Sequence, residues 1–158
     1  QVLEAPVDIA VGLAAEPGTP TLFLRRLRVL HDHPLCLCDS YLPASRFPGL
    51  GEAPFVRGSL YATLEEVYDC HLERSVRWVE ASEVVEGEAA ELLGIPLLSP
   101  ILLLSGVTYC SKAGEPIEVI RSRFREGISL ESTVTRDALR RRPEPHEGTH
   151  NAPTTEAA

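Results

Sequence analysis

Between Leu22 and Pro43 apolar and polar positions follow a period of two, the spacing that puts alternate side chains on opposite faces of a strand. Phe23, Leu27 and Val29 share one face with Arg25, and Leu22 and Leu24 share the other with Arg26 and Arg28. The pattern predicts two long strands, about Thr21 to Leu30 and Leu35 to Leu42, joined at His31-Asp32-His33. Both faces of the first strand begin apolar, which places it centrally in a sheet rather than at an edge. Arg74 to Ala81 alternates in the same way, with Val76 and Trp78 together, and is a further strand. Ile101 to Tyr109 and Ile117 to Arg125 make a second hairpin that turns between Ser111 and Gly114.

The period changes elsewhere. Pro6 to Leu13 suits a short helix closed near Gly12, and Arg46 to Gly58 is a loop with room for one helical turn. From Ser59 onward Leu60, Leu64, Val67 and, more loosely, Cys70 recur at helical spacing and should face the core. Ser59 is a good N-cap for that helix, and Glu86 to Leu93 is another helix, closed by Gly94. The order helix, Gly12, Pro20, strand, turn, Pro34, strand recurs as helix, Gly94, Pro100, strand, turn, Pro116, strand, with Ser40 matching Ser122. This echo predicts an α+β domain over residues 1–131, an antiparallel sheet with flanking helices built from two pseudo-repeated helix-plus-hairpin halves. Residues 132–158, rich in Pro, Thr and charge, read as a flexible tail.

Composition narrows the partners. A net charge of −8 over 158 residues argues against this chain gripping nucleic acid by itself. No apolar run has the length of a membrane span, and no signal peptide is evident. The chain holds no methionine and opens on Gln1, as a piece of a longer or processed product would. Of the cysteines, Cys36 and Cys38 would point the same way from one strand, without the spacing of a zinc site, and read as buried small hydrophobes in a reducing compartment. His31-Asp32-His33 reads as a solvated hairpin tip rather than a metal site, and neither metal nor cofactor is expected.

Arg26 and Arg28 carry the functional question, since a guanidinium on an apolar strand face needs a counter-charge. Ser59 lies at a helix N-terminus, where unpaired amides and the helix dipole favour an anion, and Tyr61 adds a hydroxyl. Together these groups suit a phosphate, phosphonate or carboxylate, while Glu118 on the last strand could accept from a ligand hydroxyl or amine. Internal pairing of the two arginines with Glu118, Glu80 or Asp39 would satisfy them equally well, and spacing leaves both arrangements open. No nucleophile elbow, glycine-rich phosphate loop or His-Glu-x-x-His occurs, so catalysis has no sequence support.

The ordered stretches LRRLRVLHDHPLCLCDSYLP, GSLYATLEEVYDCHLERSVRWVEA and EAAELLGIPLLSPILLLSGVTYCSKAGEPIEVIRSRFRE resemble the UTRA domain, the effector-binding half of HutC-type GntR transcriptional regulators. The resemblance runs from about Asp8 to Glu131. It implies a chorismate lyase-like fold without lyase chemistry, a cytoplasmic homodimer, and operator DNA bound through a winged helix-turn-helix domain that this chain lacks. It places the anion subsite on Arg26, Arg28, Ser59 and Tyr61, with Glu118 as the acidic residue of the last hairpin. Cys38 stands where amino-sugar-phosphate members carry glutamate, and Phe124 where they carry tyrosine. The LCLCD strand is instead similar to that of the family's phosphonate-utilisation repressors, which implies a small phosphorylated or phosphonate effector.

Overall fold

A computed structural model describes residues 1–111 and 114–129. Strands β1 (Val2–Glu4), β2 (Pro20–Leu30), β3 (His33–Pro43), β4 (Leu72–Glu83), β5 (Pro100–Cys110) and β6 (Pro116–Phe124) form one antiparallel sheet in the order β1-β2-β3-β6-β5-β4. Helices α1 (Val7–Gly12), α2 (Leu60–Tyr68) and α3 (Gly87–Leu93) complete the α+β fold, with a short 3₁₀ turn at Val56–Gly58. The expected tail, 132–158, lies outside the described residues.

The sheet order is symmetric about the β3–β6 pair, so β1-α1-β2-β3 and β4-α3-β5-β6 are two copies of one unit. Their backbone bonds repeat as well. Ala5 N–H donates to Thr19 O and Gly18 N–H to Ala5 O, just as Val84 N–H donates to Ser99 O and Leu98 N–H to Val84 O. Ala15 N–H to Ala10 O has its counterpart in Ile95 N–H to Ala90 O. The expected echo is therefore a repeat of architecture, and α2 is inserted between its halves.

Alternation assigns the two faces. Tyr41, Val107 and Val119 pack with Ile9 and Leu13 of the α1 region, while Leu37 and Ile101 pack with Ala89, Ala90 and Leu93 of α3. The opposite face carries Leu22 and Leu42 against Leu60 and Leu64 of α2 and against Phe47 and Leu50 of the preceding loop. Removing these side chains from water supplies the main drive for the layer arrangement. The hairpin tip is tight because His31 and Asp32 both take left-handed backbone, φ 48° and 64°, as a two-residue turn between right-twisted strands requires.

Three local expectations need correction. β2 is not central along its length: β1 flanks it only from Pro20 to Leu22, so beyond Phe23 its outer edge has no strand partner among the described residues, and Leu27, Val29 and Leu30 are exposed. Val67 does not face the core. The helix ends at Tyr68, leaving Val67 exposed, while Thr63 takes the buried position and bonds back to Ser59 O. The three-residue strand β1 is too short for a periodic signal, and sequence reasoning missed it.

Candidate functional site

Register places Arg26 and Arg28 on the same sheet face as Ser40, Cys38 and Cys36 of β3, Glu118, Ser122 and Phe124 of β6, Thr108 of β5, and Arg77 of β4. α2 lies over the Glu118 end of this face. Ser59 caps that helix, its Oγ accepting from the Ala62 amide at 3.3 Å, so its hydroxyl is engaged with the helix.

Glu118 is fully buried and organises a polar knot. Its Oε2 accepts from the Tyr61 hydroxyl at 2.7 Å and from Thr108 Oγ1 at 3.1 Å. Arg77 donates to both of those hydroxyls, at 3.1 Å and 2.9 Å. Arg77 can pass beneath because Gly106 faces it across the strand pair: a Cβ there would lie 2.2 Å from Val76 O and 2.7 Å from Arg77 Cδ. Burial, then the neighbouring Glu118 carboxylate, pushes the Tyr61 phenol up to about 12, so it remains a hydroxyl donor at neutral pH. Glu118 Oε1 is buried with no hydrogen-bond partner among the described residues.

Arg26 is half-buried. It donates from NH2 to Ser40 Oγ at 2.9 Å and lies 5.9 Å from the Phe55 ring centroid, beside the turn that leads into Ser59. Its Nε–H is buried and has no partner among the described residues. Among the described residues neither Arg26 nor Arg28 pairs with Glu118, Glu80 or Asp39, the alternative that spacing had left open. Arg28 departs from expectation in another way, since it is exposed at the far end of β2. Of the expected anion-site groups, then, the structure bonds Tyr61 to Glu118, sets Arg26 on the same face beside Phe55, uses Ser59 as a cap, and leaves Arg28 in solvent.

At the open end of the face Cys36 is buried and Cys38 half-buried, their sulfurs 3.3 Å apart. The Cys36 thiol, the Ser122 hydroxyl and the charges of Arg26 and Arg28 outweigh burial and lower the Cys38 thiol to about 6, while the same contact and burial raise Cys36. Phe124 lies opposite Cys36 and supplies an apolar, non-bonding neighbour.

Sequence reasoning missed Arg77, Thr108, Ser40 and Phe55. A glycine inside an otherwise apolar strand was the available signal for Arg77, since it marks close approach of another group. Arg25, on the other face, proves to be the paired arginine: it and Arg123 both bond the buried Asp39 at 2.8 Å. Two surface concavities, about 400 Å³ beside α3 and Pro96 and about 270 Å³ beside β1 and Phe47, are lined by none of Arg26, Tyr61 or Glu118. Among the described residues no group of three potential metal ligands occurs, and no helix is long and apolar enough to cross a membrane.

Residues 1–127 match the UTRA domain family. The chain is 32% identical over 120 residues to an uncharacterised HTH-type transcriptional regulator of Rhizobium meliloti strain 1021, covering 74% of this chain and 47% of that protein. It is 26% identical over 125 residues to the HTH-type transcriptional repressor NagR of Bacillus subtilis strain 168, covering 79% of this chain and 50% of the repressor. The chain thus spans about half the length of the curated relatives it matches. Among solved structures, the effector domain of PhnF from Mycobacterium smegmatis superposes with a TM-score of 0.75 at 29% identity, over 85% of this chain and 82% of that one.

Proposed function

The chain belongs to the UTRA domain family, and from that premise we propose that it is the effector-binding domain of a GntR-type transcriptional regulator whose effector is a small phosphorylated or phosphonate metabolite. One observation carries this reading. Two buried polar atoms of opposite character, the Nε–H of Arg26 and Oε1 of Glu118, stand without partners among the described residues on one sheet face partly roofed by α2. An orphaned buried donor or acceptor is costly, and a ligand with an oxyanion at one end and a hydroxyl or amine at the other would satisfy both. Tyr61 and Arg77 brace Glu118, and Arg28 adds positive charge at the rim. The whole regulator is a cytoplasmic homodimer that meets operator DNA through a winged helix-turn-helix domain outside this chain. The effector acts by binding one dimer geometry better than the other. Resemblance of the LCLCD strand to that of the family's phosphonate-utilisation repressors favours a phosphonate or phosphate ester over a neutral sugar.

A thermal-shift screen with inorganic phosphate, 2-aminoethylphosphonate and hexose phosphates identifies the tightest probe, and calorimetry then measures it against variants. A charge-assisted bond contributes about 1.5–3 kcal/mol, so Arg26→Ala should weaken that probe by roughly 10- to 100-fold. Glu118→Gln should erase the preference for a probe carrying an amine. Unchanged affinity in Arg26→Ala rules the anion site out.

A further inference from the structure

We infer that Cys36 and Cys38 form a two-coordinate site for a soft, thiophilic metal cation of the copper(I) class. This site does not rest on the effector reading, though it shares the sheet face of Arg26 and Arg28. The two residues are two apart on β3, so their side chains leave the sheet in parallel, and their sulfurs already lie 3.3 Å from each other. Both thiols are free. A disulfide fits poorly here, because residues two apart on a strand hold their Cα atoms about 6.5–6.8 Å apart with parallel Cβ bonds, at the outer limit of bridging geometry. A metal ion between the sulfurs needs no such backbone change.

The ligand set selects the class of metal. Zinc and harder cations require three or four protein donors, and no third Cys, His, Asp or Glu joins these thiols among the described residues. A soft monovalent cation is satisfied by two thiolates. Its complex carries one net negative charge, and the flanking strand supplies the counter-charges, Arg26 opposite Cys38 and Arg28 opposite Cys36. Binding is a plain exchange: two metal–sulfur bonds form as the bonds to the competitor's nitrogen ligands break, and any proton still held by either thiol leaves. The contrast with the other cysteines is informative. Cys70 and Cys110 are packed into the apolar cluster under α2, whereas Cys36 and Cys38 belong to no apolar cluster, and Cys38 is reachable from solvent.

The test titrates the fully reduced chain, without oxygen, with copper(I) held by a chromophoric bicinchoninate competitor. The expected result is withdrawal of one equivalent of copper, lost in Cys38→Ser and kept in Cys70→Ala. X-ray absorption of the unmodified chain with one equivalent bound should show two sulfur neighbours, a readout that holds even if a variant folds poorly. Copper left entirely on the competitor, equal withdrawal by Cys38→Ser, or a coordination shell of nitrogen and oxygen would each overturn the assignment.

Discussion

Gly106 shows how one residue's lack of a side chain sets the chemistry of a whole face. It opens the space through which the Arg77 guanidinium reaches Tyr61 and Thr108, and these two hydroxyls in turn fix the carboxylate of Glu118. Its Cβ in Gly106→Ala would meet the Val76 carbonyl at 2.2 Å, a contact that only movement of β4 can relieve. Overpacking of this kind costs about 1–3 kcal/mol. The expected outcome is a lower urea midpoint, with a change in tyrosine absorbance as Tyr61 loses the Arg77 bond. A variant as stable as the parent would mean that β4 yields at Gly106 without cost. The same residue marks what a single chain can disclose. Glu118 and Tyr61 are picked out as candidates by the spacing of polar residues on strand and helix. That Arg77 joins them depends on β4–β5 register, Arg77 opposite Gly106, which local periodicity does not encode.

Elements were legible where their signal was long. The strands of both hairpins run 9–11 residues between proline and turn residues, and the pattern placed their ends within a few residues of the observed ones. Signals failed where a neighbour decides burial. Leu27, Val29 and Leu30 look like core residues in the sequence, yet among the described residues no strand flanks the outer edge of β2 beyond Phe23 to cover them. Val67 fits the apolar stripe of α2 but lies on its last exposed turn. Ser59 is the element-scale position at which structure and function separate cleanly. Its hydroxyl caps α2, so Ser59→Ala should cost about 1 kcal/mol, measured by urea unfolding. Ser59→Asp keeps the cap and complements the helix dipole, so stability should hold, while its negative charge beside the proposed anion subsite should abolish binding of inorganic phosphate. If Ser59→Asp binds phosphate as the parent does, the anion does not sit at this helix start.

At the scale of the whole molecule the two halves meet along β3–β6, and charge fastens the seam on the face away from the candidate site. Asp39 of the first half, 1% exposed, accepts from Arg25 of its own half and from Arg123 of the second, at 2.8 Å each. Arg25 continues to Glu88 and Arg123 to Glu86, both at 2.6 Å and both at the start of α3. Burial alone would push the Asp39 carboxyl up, but the bonds and charges of Arg25 and Arg123 outweigh it and hold the group below the usual carboxylate range. A depressed folded-state pKa contributes stability that is fully present above the unfolded value, about 3.9, and is lost as pH falls through the folded one. Asp39→Asn removes the buried carboxylate that the two guanidiniums share and leaves them only the more exposed Glu86 and Glu88, so at pH 7 it should cost about 3 kcal/mol. The difference in urea midpoint between parent and variant should stay constant from pH 7 to about pH 5, begin to narrow at about pH 4 as the unfolded chain's carboxyl takes up a proton, and close only as pH falls through the lower value of the folded Asp39. Subtracting the variant at each pH removes the carboxylates that both proteins share. A gap that persists undiminished into acid would place the stabilisation in packing, and the seam between the halves would then not be electrostatic.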